Sequence, residues 1–339
     1  MITERLNITG YEEVYHFTDT NFSAFIGIHN THLGPALGGC RMKPYESDAR
    51  ALQDVLLLAK GMTLKNSLAG LNYGGGKMVV NARDPTRDLM HLVGEAVETL
   101  EGRYLTADDV GTTIDDMKIA AQRTRYVATL GKDALPGDPS PWTALGVFHC
   151  ILAALTYRNM QNDHAGLSIW VQGLGKVGWG LTERLANSGR PLFEIYVSDL
   201  LPDRVAAARA TFGAIEYTPE IATQIQIYAP CAMGQVIRVD NIDDIKFPVI
   251  CGSANNQLET DELAQILHDR GVLYCPDFLV NAGGVISAAS EITGYDEDAV
   301  RRSVIDRGGC LTTTFKIAEQ EKTTPLEMAK LLANLRLAY

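Results

Sequence analysis

Two lysines in glycine-rich surroundings are the first residues of this sequence whose setting could support chemistry. Lys65 ends the segment GMTLK at 61–65, and Lys77 follows three glycines at 74–76. A glycine run brings the backbone close to a ligand and lets a long side chain reach into a cleft. A lysine that is desolvated beside another cation has a lowered pKa and can exchange protons near neutral pH.

An acid should lie nearby to receive or relay those protons. The candidates are the adjacent carboxylates Asp108 and Asp109, in the segment ADDVGT at 107–112, which is typical of a turn. The alternative for these residues, taken alone, is a surface glycine loop that carries solvated lysines.

A glycine-rich turn between an apolar strand and a helix is the second such feature. The segment VQGLGKVG at 171–178 has the spacing GxGxxG, with Gly173, Gly175 and Gly178. The first glycine permits the tight bend, the second lets a pyrophosphate approach the backbone, and the third allows close helix–strand packing. The helix N-terminus then faces the phosphates with unpaired N–H groups. The pattern predicts a dinucleotide site, and the alternative is an ordinary glycine-rich strand–helix turn.

The acid that ends the next apolar run indicates which dinucleotide binds. Asp199 follows the run 195–198, about 20 residues beyond the glycines. A carboxylate there accepts hydrogen bonds from both ribose hydroxyls and repels a 2′-phosphate, and no arginine follows immediately. We therefore expect NAD rather than NADP.

Hydrophobic periodicity predicts the elements that must position these residues. Before a proline-rich stretch at 135–141 the chain is mixed α/β, and after it short apolar runs alternate with helices. Such alternation is typical of a parallel sheet covered on both faces. The predicted strands are 21–29, 77–81, 168–171, 194–198, 225–229, 248–251 and 272–274, and the predicted helices are 48–60 (with Ser47 as N-cap), 89–100, 176–188, 261–270 and the tail from about residue 295.

Length and composition limit the class of protein. A chain of 339 residues exceeds one comfortable core, so we expect two domains. The net charge of -11 argues against a nucleic-acid or anionic-membrane partner, and no apolar run approaches a membrane span. The six cysteines are scattered without metal-ligand spacing, and there is no HExxH motif, so we expect reduced thiols, no metal and a cytoplasmic protein.

Eight segments in order along the chain resemble the amino-acid dehydrogenases of the glutamate/leucine/phenylalanine/valine group, especially the leucine and phenylalanine branch. They are GPALGGCRM (34–42), GMTLKNSLAGLNYGGGK (61–77), TADDVGTT (106–113), GDPSPWTALGV (137–147), VQGLGKVG (171–178), YAPCAMG (228–234), GSANNQL (252–258) and PDFLVNAGG (276–284).

The resemblance implies an α/β fold of two domains with a cleft between them. A substrate-binding and oligomerisation domain would span 1–136, a Rossmann-type NAD-binding domain 137–295, and C-terminal helices 296–339 would pack back towards the first domain. It also implies a homo-oligomer, although the segment 325–339 stops early and lacks the family's usual acidic-arginine ending, which leaves the assembly open.

The resemblance further implies the reaction and the residues that carry it. An L-amino acid would be deaminated oxidatively to the 2-oxo acid and ammonium, with NAD taking the α-hydride. Lys77 would activate the water that attacks the imine, Asp109 would exchange protons with the amino group, and Lys65 would hold the substrate carboxylate. Gly38 and Gly39 would line the substrate site through their backbone.

Cofactor contacts follow from the same resemblance. Thr143 would bind the carboxamide end of the nicotinamide. Asn255 and Asn256 would touch nicotinamide and substrate, with their separate roles left open. The remaining cofactor-binding residues would be Gly173, Leu174, Gly175, Lys176, Val177, Gly178, Asp199, Ala229, Pro230 and Cys231.

Motif matching also predicts the pocket for the substrate side chain, which would be lined by Leu37, Met62, Val285 and Ala288. Leucine-type enzymes tend to carry a larger aliphatic residue where Ala288 stands, so the extra room favours a bulky or aromatic side chain. A branched-chain substrate is the alternative. Each buried methylene is worth only about 0.8 kcal/mol, so selectivity would be modest.

Two other classes of function agree less well with the sequence. A non-catalytic NAD-binding sensor should have lost a catalytic residue, but Lys65, Lys77 and Asp109 are all present. A 2-hydroxy-acid dehydrogenase usually relies on an Arg–His pair, and neither His149 nor His164 lies in such a motif.

Overall fold

The computed structural model describes residues 1–130, 137–160, 166–189 and 193–338, which form two compact units. The first unit holds the described residues of Met1–Asp138, Val285–Asp296 and Ala333–Tyr339, and the second holds those of Pro139–Gly284 and Glu297–Leu332. This division differs from the expected one, because 285–296 belongs to the first unit and most of the C-terminal helices belong to the second. Residues 135 and 136 of the predicted boundary, and His164, lie outside the described residues.

A mixed sheet forms the centre of the first unit. Its elements, in chain order, are β1 (Ile2–Leu6), β2 (Glu13–Asp19), β3 (Phe22–Asn30), β4 (Ala36–Leu37), β5 (Cys40–Lys43), α1 (Asp48–Leu68), β6 (Gly74–Asn81), α2 (Arg87–Glu98), β7 (Tyr104–Leu105) and α3 (Ile114–Ala120). The strand order is β1-β2-β3-β6-β4-β7, and β5 also pairs with β6. β3 runs antiparallel to β6, whereas β4 and β5 run parallel to it.

Alternation along β6 divides the apolar side chains between two cores. Met78 and Val80 enter a core that includes residues of α2 and α3, and Val79 enters another with Val55 of α1. Because side chains alternate along a strand, Lys77 shares the α1 side of the sheet with Val79. Strand β6 therefore places Lys77 on the face of the sheet that α1, the longest helix of the unit, covers.

The helix α1 begins where predicted but ends later. Ser47 caps it as expected, its side chain accepting from the Arg50 N–H. The predicted end at residue 60 is wrong, because the helix continues through Gly61 to Leu68. A glycine inside a helix costs only about 1 kcal/mol, and packing of the last turns offsets it: the Asn66 amide donates to the carbonyls of Leu37 and Gly74.

The three glycines at 74–76 belong to β6, which therefore begins three residues before the predicted strand. They are needed because other backbone comes very close. A Cβ on Gly74 would lie 2.0 Å from the Asn30 carbonyl oxygen, and one on Gly75 would lie 2.1 Å from the Thr63 nitrogen. The glycines thus seat β6 against β3 and α1 rather than forming a loop.

The second unit contains a parallel sheet. From residue 140 the elements are α4 (Ser140–Tyr157), β8 (Leu167–Gln172), α5 (Lys176–Ala186), β9 (Phe193–Ser198), α6 (Pro202–Phe212), β10 (Ile215–Glu216), β11 (Ile227–Pro230), β12 (Val249–Ile250), α7 (Leu263–Asp269), β13 (Leu273–Tyr274), α8 (Asp277–Val280), α9 (Gly283–Thr293), α10 (Glu297–Ile305), α11 (Arg307–Gln320) and α12 (Pro325–Leu337). Short 3₁₀ helices lie at Pro219–Gln224 and Ile242–Asp244.

The strand order β10-β9-β8-β11-β12-β13 is that of a Rossmann-type sheet, in which the order reverses between β8 and β11. All five strands predicted for this unit are confirmed, with ends shifted by at most two residues. Ligands of such sheets bind beyond the carboxyl ends of the strands at the reversal, which here are Gln172 and Pro230. Within the described ranges, every helix is too short or too polar to traverse a lipid bilayer.

Candidate functional site

The predicted catalytic lysine and aspartate form a buried ion pair in the first unit. Lys77 Nζ lies 2.6 Å from Asp109 Oδ2, and the two side chains are 7% and 19% exposed. Lys77 comes from β6, whereas Asp109 lies in the segment that follows β7. The two residues are 32 positions apart in the sequence, and the fold brings their charges into direct contact.

A tight turn holds Asp109 in place. Its N–H donates to Thr112 Oγ1 at 3.0 Å, and the Thr112 hydroxyl donates to the Cys40 carbonyl at 2.8 Å. Gly111 has a φ of +83°, and a Cβ there would lie 1.7 Å from the Met42 carbonyl oxygen. The turn is therefore fastened against β5, and it requires glycine at position 111.

Asp109 is held as a carboxylate by its neighbours. Burial alone would raise its pKa, but the charges of Lys77 and Arg41 outweigh burial and hold the pKa well below its usual range. Asp108 differs, because burial is the main influence on its carboxyl group and raises its pKa. The pKa values of the two adjacent acids thus shift in opposite directions, and Asp109 is the one whose neighbouring charges favour the ionised form.

The glycine pair at 38 and 39 links the sheet to this turn. A Cβ on Gly38 would lie 1.9 Å from the Gly76 carbonyl oxygen, and one on Gly39 would lie 2.7 Å from that of Asp108. The buried Tyr104 hydroxyl donates to the Gly38 carbonyl at 2.7 Å. Close packing is thus enough to require these two glycines, whatever contact their backbone makes with a substrate.

Two further predicted substrate residues lie on the last turns of α1. Lys65 and Met62 are both half-buried. Met62 lies beside the glycine pair, because a Cβ on Gly38 would come within 3.2 Å of its Cγ. Both residues would have been outside α1 had the helix ended at the predicted position.

The predicted side-chain pocket is brought together in part. Leu37 packs with Leu105, Ala107 and Ala289, and Val285 contacts the rim of this cluster. The residue of α9 in this cluster is Ala289. The predicted residue, Ala288, is its neighbour on the helix and is buried at 5% exposure, but it is not part of the cluster.

The glycine turn of the second unit has the geometry of a dinucleotide site. Gly173 has a φ of +97°, and a Cβ on Gly178 would lie 1.8 Å from the Gly173 carbonyl oxygen. A Cβ on Gly175, in contrast, would meet nothing within 4 Å among the described residues. Gly175 precedes Lys176, the first residue of α5, and as a glycine at the N-cap it has no side chain with which to cap that helix. The turn thus leaves space for a pyrophosphate above Gly175, at the N-terminus of α5.

Asp199 stands at the end of β9, as predicted, and also braces this turn. Its carboxylate accepts from the N–H groups of Leu174 at 2.6 Å and Leu201 at 2.9 Å. Burial works against ionisation, but these hydrogen bonds and the charge of Arg204 lower its pKa. Arg204 Nη1 lies 3.6 Å from Asp199 Oδ2, so a guanidinium five residues downstream stands beside the acid.

Further residues predicted to bind the cofactor lie in the same unit. Ala229 and Pro230 end β11, and the Cys231 N–H donates to the Gln172 carbonyl at 2.8 Å, so this segment borders the glycine turn. Thr143 lies in the first turn of α4, where its hydroxyl donates to the Pro139 carbonyl at 3.3 Å.

Asn255 and Asn256 are held by different partners. The Asn281 amide donates to Asn255 Oδ1 at 2.9 Å and so orients that side chain. The Asn256 N–H donates to Asp277 Oδ2 at 2.7 Å, and its φ of +51° is a conformation that asparagine tolerates. Asn255 is therefore held by its side-chain oxygen, whereas Asn256 is held by its backbone N–H.

Sequence reasoning missed four residues that support the site: Arg41, Tyr104, Asp277 and Asn281. Three of them lie inside the family-like motifs: Arg41 in GGCRM, and Asp277 and Asn281 in PDFLVNAGG. Polar residues embedded in apolar motifs were the available signal. Tyr104 carried none, since a tyrosine in a short apolar run is typical of any core strand.

Taken together, the parallel sheet with its glycine turn and the buried Lys–Asp pair are the features expected of a nucleotide-dependent oxidoreductase. Comparison with known proteins is more specific. Residues 14–126 match the Glu/Leu/Phe/Val dehydrogenase dimerisation domain, and residues 203–334 match the Glutamate/Leucine/Phenylalanine/Valine dehydrogenase domain. The chain belongs to this family and is an amino-acid dehydrogenase.

Individual relatives cover nearly the whole chain. It is 39% identical to a leucine dehydrogenase of Bacillus cereus, over 99% of this chain and 93% of the relative. It is 38% identical to a phenylalanine dehydrogenase of Bacillus thermotolerans, over 94% of this chain and 86% of the relative. The crystal structure of L-tryptophan dehydrogenase from Nostoc punctiforme is similar with a TM-score of 0.80 and 37% identity, covering 97% of this chain and 96% of that one.

The charge of Asp109 has a consequence for stability. Because its pKa is lower in the folded chain than in the unfolded one, ionisation stabilises the fold above about pH 4, the ordinary aspartate value, and this stabilisation is lost as the pH falls toward the folded pKa. Asp109→Asn should therefore lower the urea midpoint more at pH 7 than at pH 3.5. Equal losses at both pH values would contradict this account. Asp115→Asn, at an exposed acid of α3, is the control and should change little.

Proposed function

We propose that this chain catalyses the NAD-dependent oxidative deamination of a bulky apolar L-amino acid, with an aromatic side chain favoured, to its 2-oxo acid and ammonium. The reverse reductive amination uses the same groups. The observation that carries the proposal is the buried contact of Lys77 with Asp109 on a chain of this dehydrogenase family. A basic and an acidic group in contact can move protons to and from an amine without solvent.

The substrate is a zwitterion, and the charges of the first unit suit it. Lys65 binds the carboxylate, and the Asp109 carboxylate faces the amino group and exchanges protons with it. As the imine forms, positive charge develops beside the α-carbon, and the fixed negative charge of Asp109 stabilises it. Lys77, once neutral, takes a proton from the water that adds to the imine carbon. Collapse of the resulting carbinolamine releases ammonium and the 2-oxo acid.

Bound NAD would supply the acceptor for the α-hydride. Gly173, Gly175 and Gly178 would hold its pyrophosphate, and Asp199 its adenosine ribose. Thr143 would bind the carboxamide end of the nicotinamide. The 229–231 segment and Asn255 would make further contacts with the cofactor, and Asn256 would contact the substrate.

NAD is proposed over NADP because the Asp199 carboxylate would repel a 2′-phosphate. Arg204 acts in the opposite sense, since a guanidinium can receive such a phosphate. However, Arg204 Nη1 lies 3.6 Å from Asp199 Oδ2, so the acid offsets part of its positive charge. The Asp199 carboxylate is held by two backbone N–H groups, and its oxygens could still accept hydrogen bonds from the ribose hydroxyls.

The side-chain preference rests on Ala288. A small residue in α9, on the same helix as Val285, leaves room for a bulky or aromatic substrate, and a relative named as a tryptophan dehydrogenase supports it. The names of the leucine dehydrogenases support the branched-chain alternative equally. A pocket lined by Leu37, Met62 and Val285 is apolar in either case.

Assembly and location complete the proposal. We infer a homo-oligomer, supported by the description of the matched N-terminal model as a dimerisation domain. All six cysteines are free, which supports a reducing, cytoplasmic setting.

Removal of either lysine should have a distinct effect on turnover. Lys77→Ala should lower kcat by about 10²-fold or more, because proton transfer to and from water loses its base, while calorimetric binding of NAD is retained. Lys65→Ala should mainly raise KM for the amino acid. Lys60→Ala, at an exposed position of α1, is the control for NADH absorbance assays. A near-normal kcat for Lys77→Ala would refute the assigned role.

Substrate preference can be tested by enlarging Ala288. The wild type should use phenylalanine or tryptophan at least comparably to leucine, and Ala288→Val should lower kcat/KM for the aromatic substrates by about tenfold relative to leucine, since two methyl-sized groups are added. Ala210→Val, an exposed alanine of α6, is the control. A wild-type preference for leucine well above tenfold would eliminate the aromatic preference.

Cofactor preference can be tested at Asp199. Asp199→Ala should weaken NAD binding and narrow the difference between NAD and NADP in titration calorimetry, because the ribose loses its acceptor and the 2′-phosphate loses its repulsion. Asp203→Ala, at an exposed acid in the first turn of α6, should leave both affinities unchanged. Tighter binding of NADP by the wild type would overturn the choice of NAD.

A further inference from the structure

Behind the Lys77–Asp109 pair, Arg41 joins two carboxylates. Its Nε lies 3.2 Å from Asp109 Oδ2, and its Nη1 lies 3.3 Å from Asp54 Oδ2. The guanidinium side chain is only 14% exposed. The Tyr45 hydroxyl donates to the same oxygen of Asp54 at 2.5 Å. Charges of alternating sign therefore run from Lys77 through Asp109 and Arg41 to Asp54.

Strand geometry accounts for the placement of Arg41. Its neighbours Cys40 and Met42 point into the core, so Arg41 points to the opposite side of the sheet. It pairs with Val79 of β6, which faces α1, the helix that carries Asp54. Arg41 thus lies between that helix and the turn of Asp109.

The same strand is fastened to the turn on both sides of Arg41. The Cys40 N–H donates to the Ala107 carbonyl at 2.7 Å, and the Met42 N–H donates to the Val110 carbonyl at 2.9 Å. The backbone positions of Arg41 and Asp109 are therefore fixed relative to each other. A guanidinium held in this way restricts how the Asp109 carboxylate can rotate.

Helix α1 carries both Asp54, which contacts Arg41, and Lys65, which is proposed to bind the substrate. Asp54 and Lys65 are eleven residues apart on α1, which is close to three full turns, so they lie on the same side of the helix. One end of that side meets Arg41, and the other carries the lysine proposed to bind the substrate carboxylate. The helix therefore ties the support of Asp109 to the substrate-binding end of the unit.

Charge balance explains why Asp54 is needed. Lys77 and Arg41 place two positive charges on one carboxylate, and burying an uncompensated charge is costly. Asp54, 22% exposed, supplies the second negative charge. Lys43 is half-exposed and lies 3.7 Å from the same Asp54 oxygen, so it adds a weaker, solvated contribution.

We propose that Arg41, anchored by Asp54, is a positioning residue for the deamination, which orients the Asp109 carboxylate towards Lys77 and the substrate amino group. The inference rests on the proposed roles of Lys77 and Asp109. The two nitrogens that Arg41 uses have a fixed planar spacing, so one side chain engages two carboxylates at once. A lysine is a single point charge and cannot reproduce that bridge.

Other groups that face Asp109 do not complicate its titration. Burial raises the pKa of the Cys40 thiol on β5 to about 12 and that of the Tyr104 phenol on β7 well above its usual value. Burial and the Asp54 carboxylate likewise raise the pKa of Tyr45, and Asp108 is the neighbouring acid on the same turn. A change in the acid limb of the activity profile on removing Arg41 would therefore report on the Lys77–Asp109 pair and the carboxylate of Asp54.

The test is the pH profile of amino-acid-dependent NADH formation by the full chain. Arg41→Met should lower kcat by about ten- to hundredfold and shift the acid limb of kcat/KM to higher pH, since Asp109 loses a positive neighbour. Arg41→Lys keeps the charge and so preserves the fold, but it should still lose about tenfold in kcat because it cannot span both carboxylates. Millimolar guanidinium should restore part of the activity of Arg41→Ala.

Arg123→Met, at a half-exposed arginine outside the cluster, is the matched control and should keep the wild-type profile. A purely structural role predicts lower stability with an unshifted acid limb and no rescue, and that result would overturn the proposal. Wild-type kcat and an unchanged profile in both Arg41→Met and Arg41→Lys would overturn it while leaving the proposed function intact. Absence of turnover by the wild type with every amino acid tried would overturn both.

Discussion

The contact between Lys77 and Asp109 is the interaction on which the rest of the first unit depends. Two charges at 2.6 Å, mostly withdrawn from water, are stable only if further charges and hydrogen bonds support them. The surrounding structure provides that support: Arg41 and Asp54 extend the alternation of charge, and Thr112 fixes the turn. The pair is thus the centre of a cluster rather than an isolated salt bridge.

Glycines make this concentration of charge possible. Gly38 and Gly39 let neighbouring backbone approach so closely that a Cβ on either would lie within 2.7 Å of a carbonyl oxygen, that of Gly76 or Asp108. The same principle operates in the second unit, where Gly173 and Gly178 close the dinucleotide turn and Gly175 leaves space above it. In both units the glycines determine where charged or polar groups can meet a ligand.

The sequence predicted the enzyme class and the nearness of Lys77 to an acid better than the boundaries of the elements. Motif residues such as Lys77, Asp109 and Gly173 could be singled out because chemistry restricts their types and spacing. Strands of the parallel sheet were also predictable, since short apolar runs that alternate with helices are typical of buried parallel strands. The end of α1 was not, because Gly61 resembles a helix stop and only packing against Gly74 and Leu37 shows that the helix continues.

The roles of Arg41 and Asn281 were not predicted, because each depends on partners that are distant in the sequence. Arg41 stands in a motif that was identified, yet its role depends on Asp54 and Asp109, which lie 13 and 68 residues away. No local pattern encodes such a pairing. The same holds for Asn281, which orients Asn255 from 26 residues downstream. A polar residue inside an apolar motif can be noticed in the sequence, but the partner that it orients becomes visible only in the folded chain.

The most direct test of the central claim is a stoichiometric one. Purified protein is incubated with NAD and L-phenylalanine, L-tryptophan or L-leucine in turn, and NADH, ammonium and 2-oxo acid are measured in the same sample. The account predicts that at least one of these amino acids yields the three products in equal amounts. NAD binding without ammonium release from any of them would contradict it.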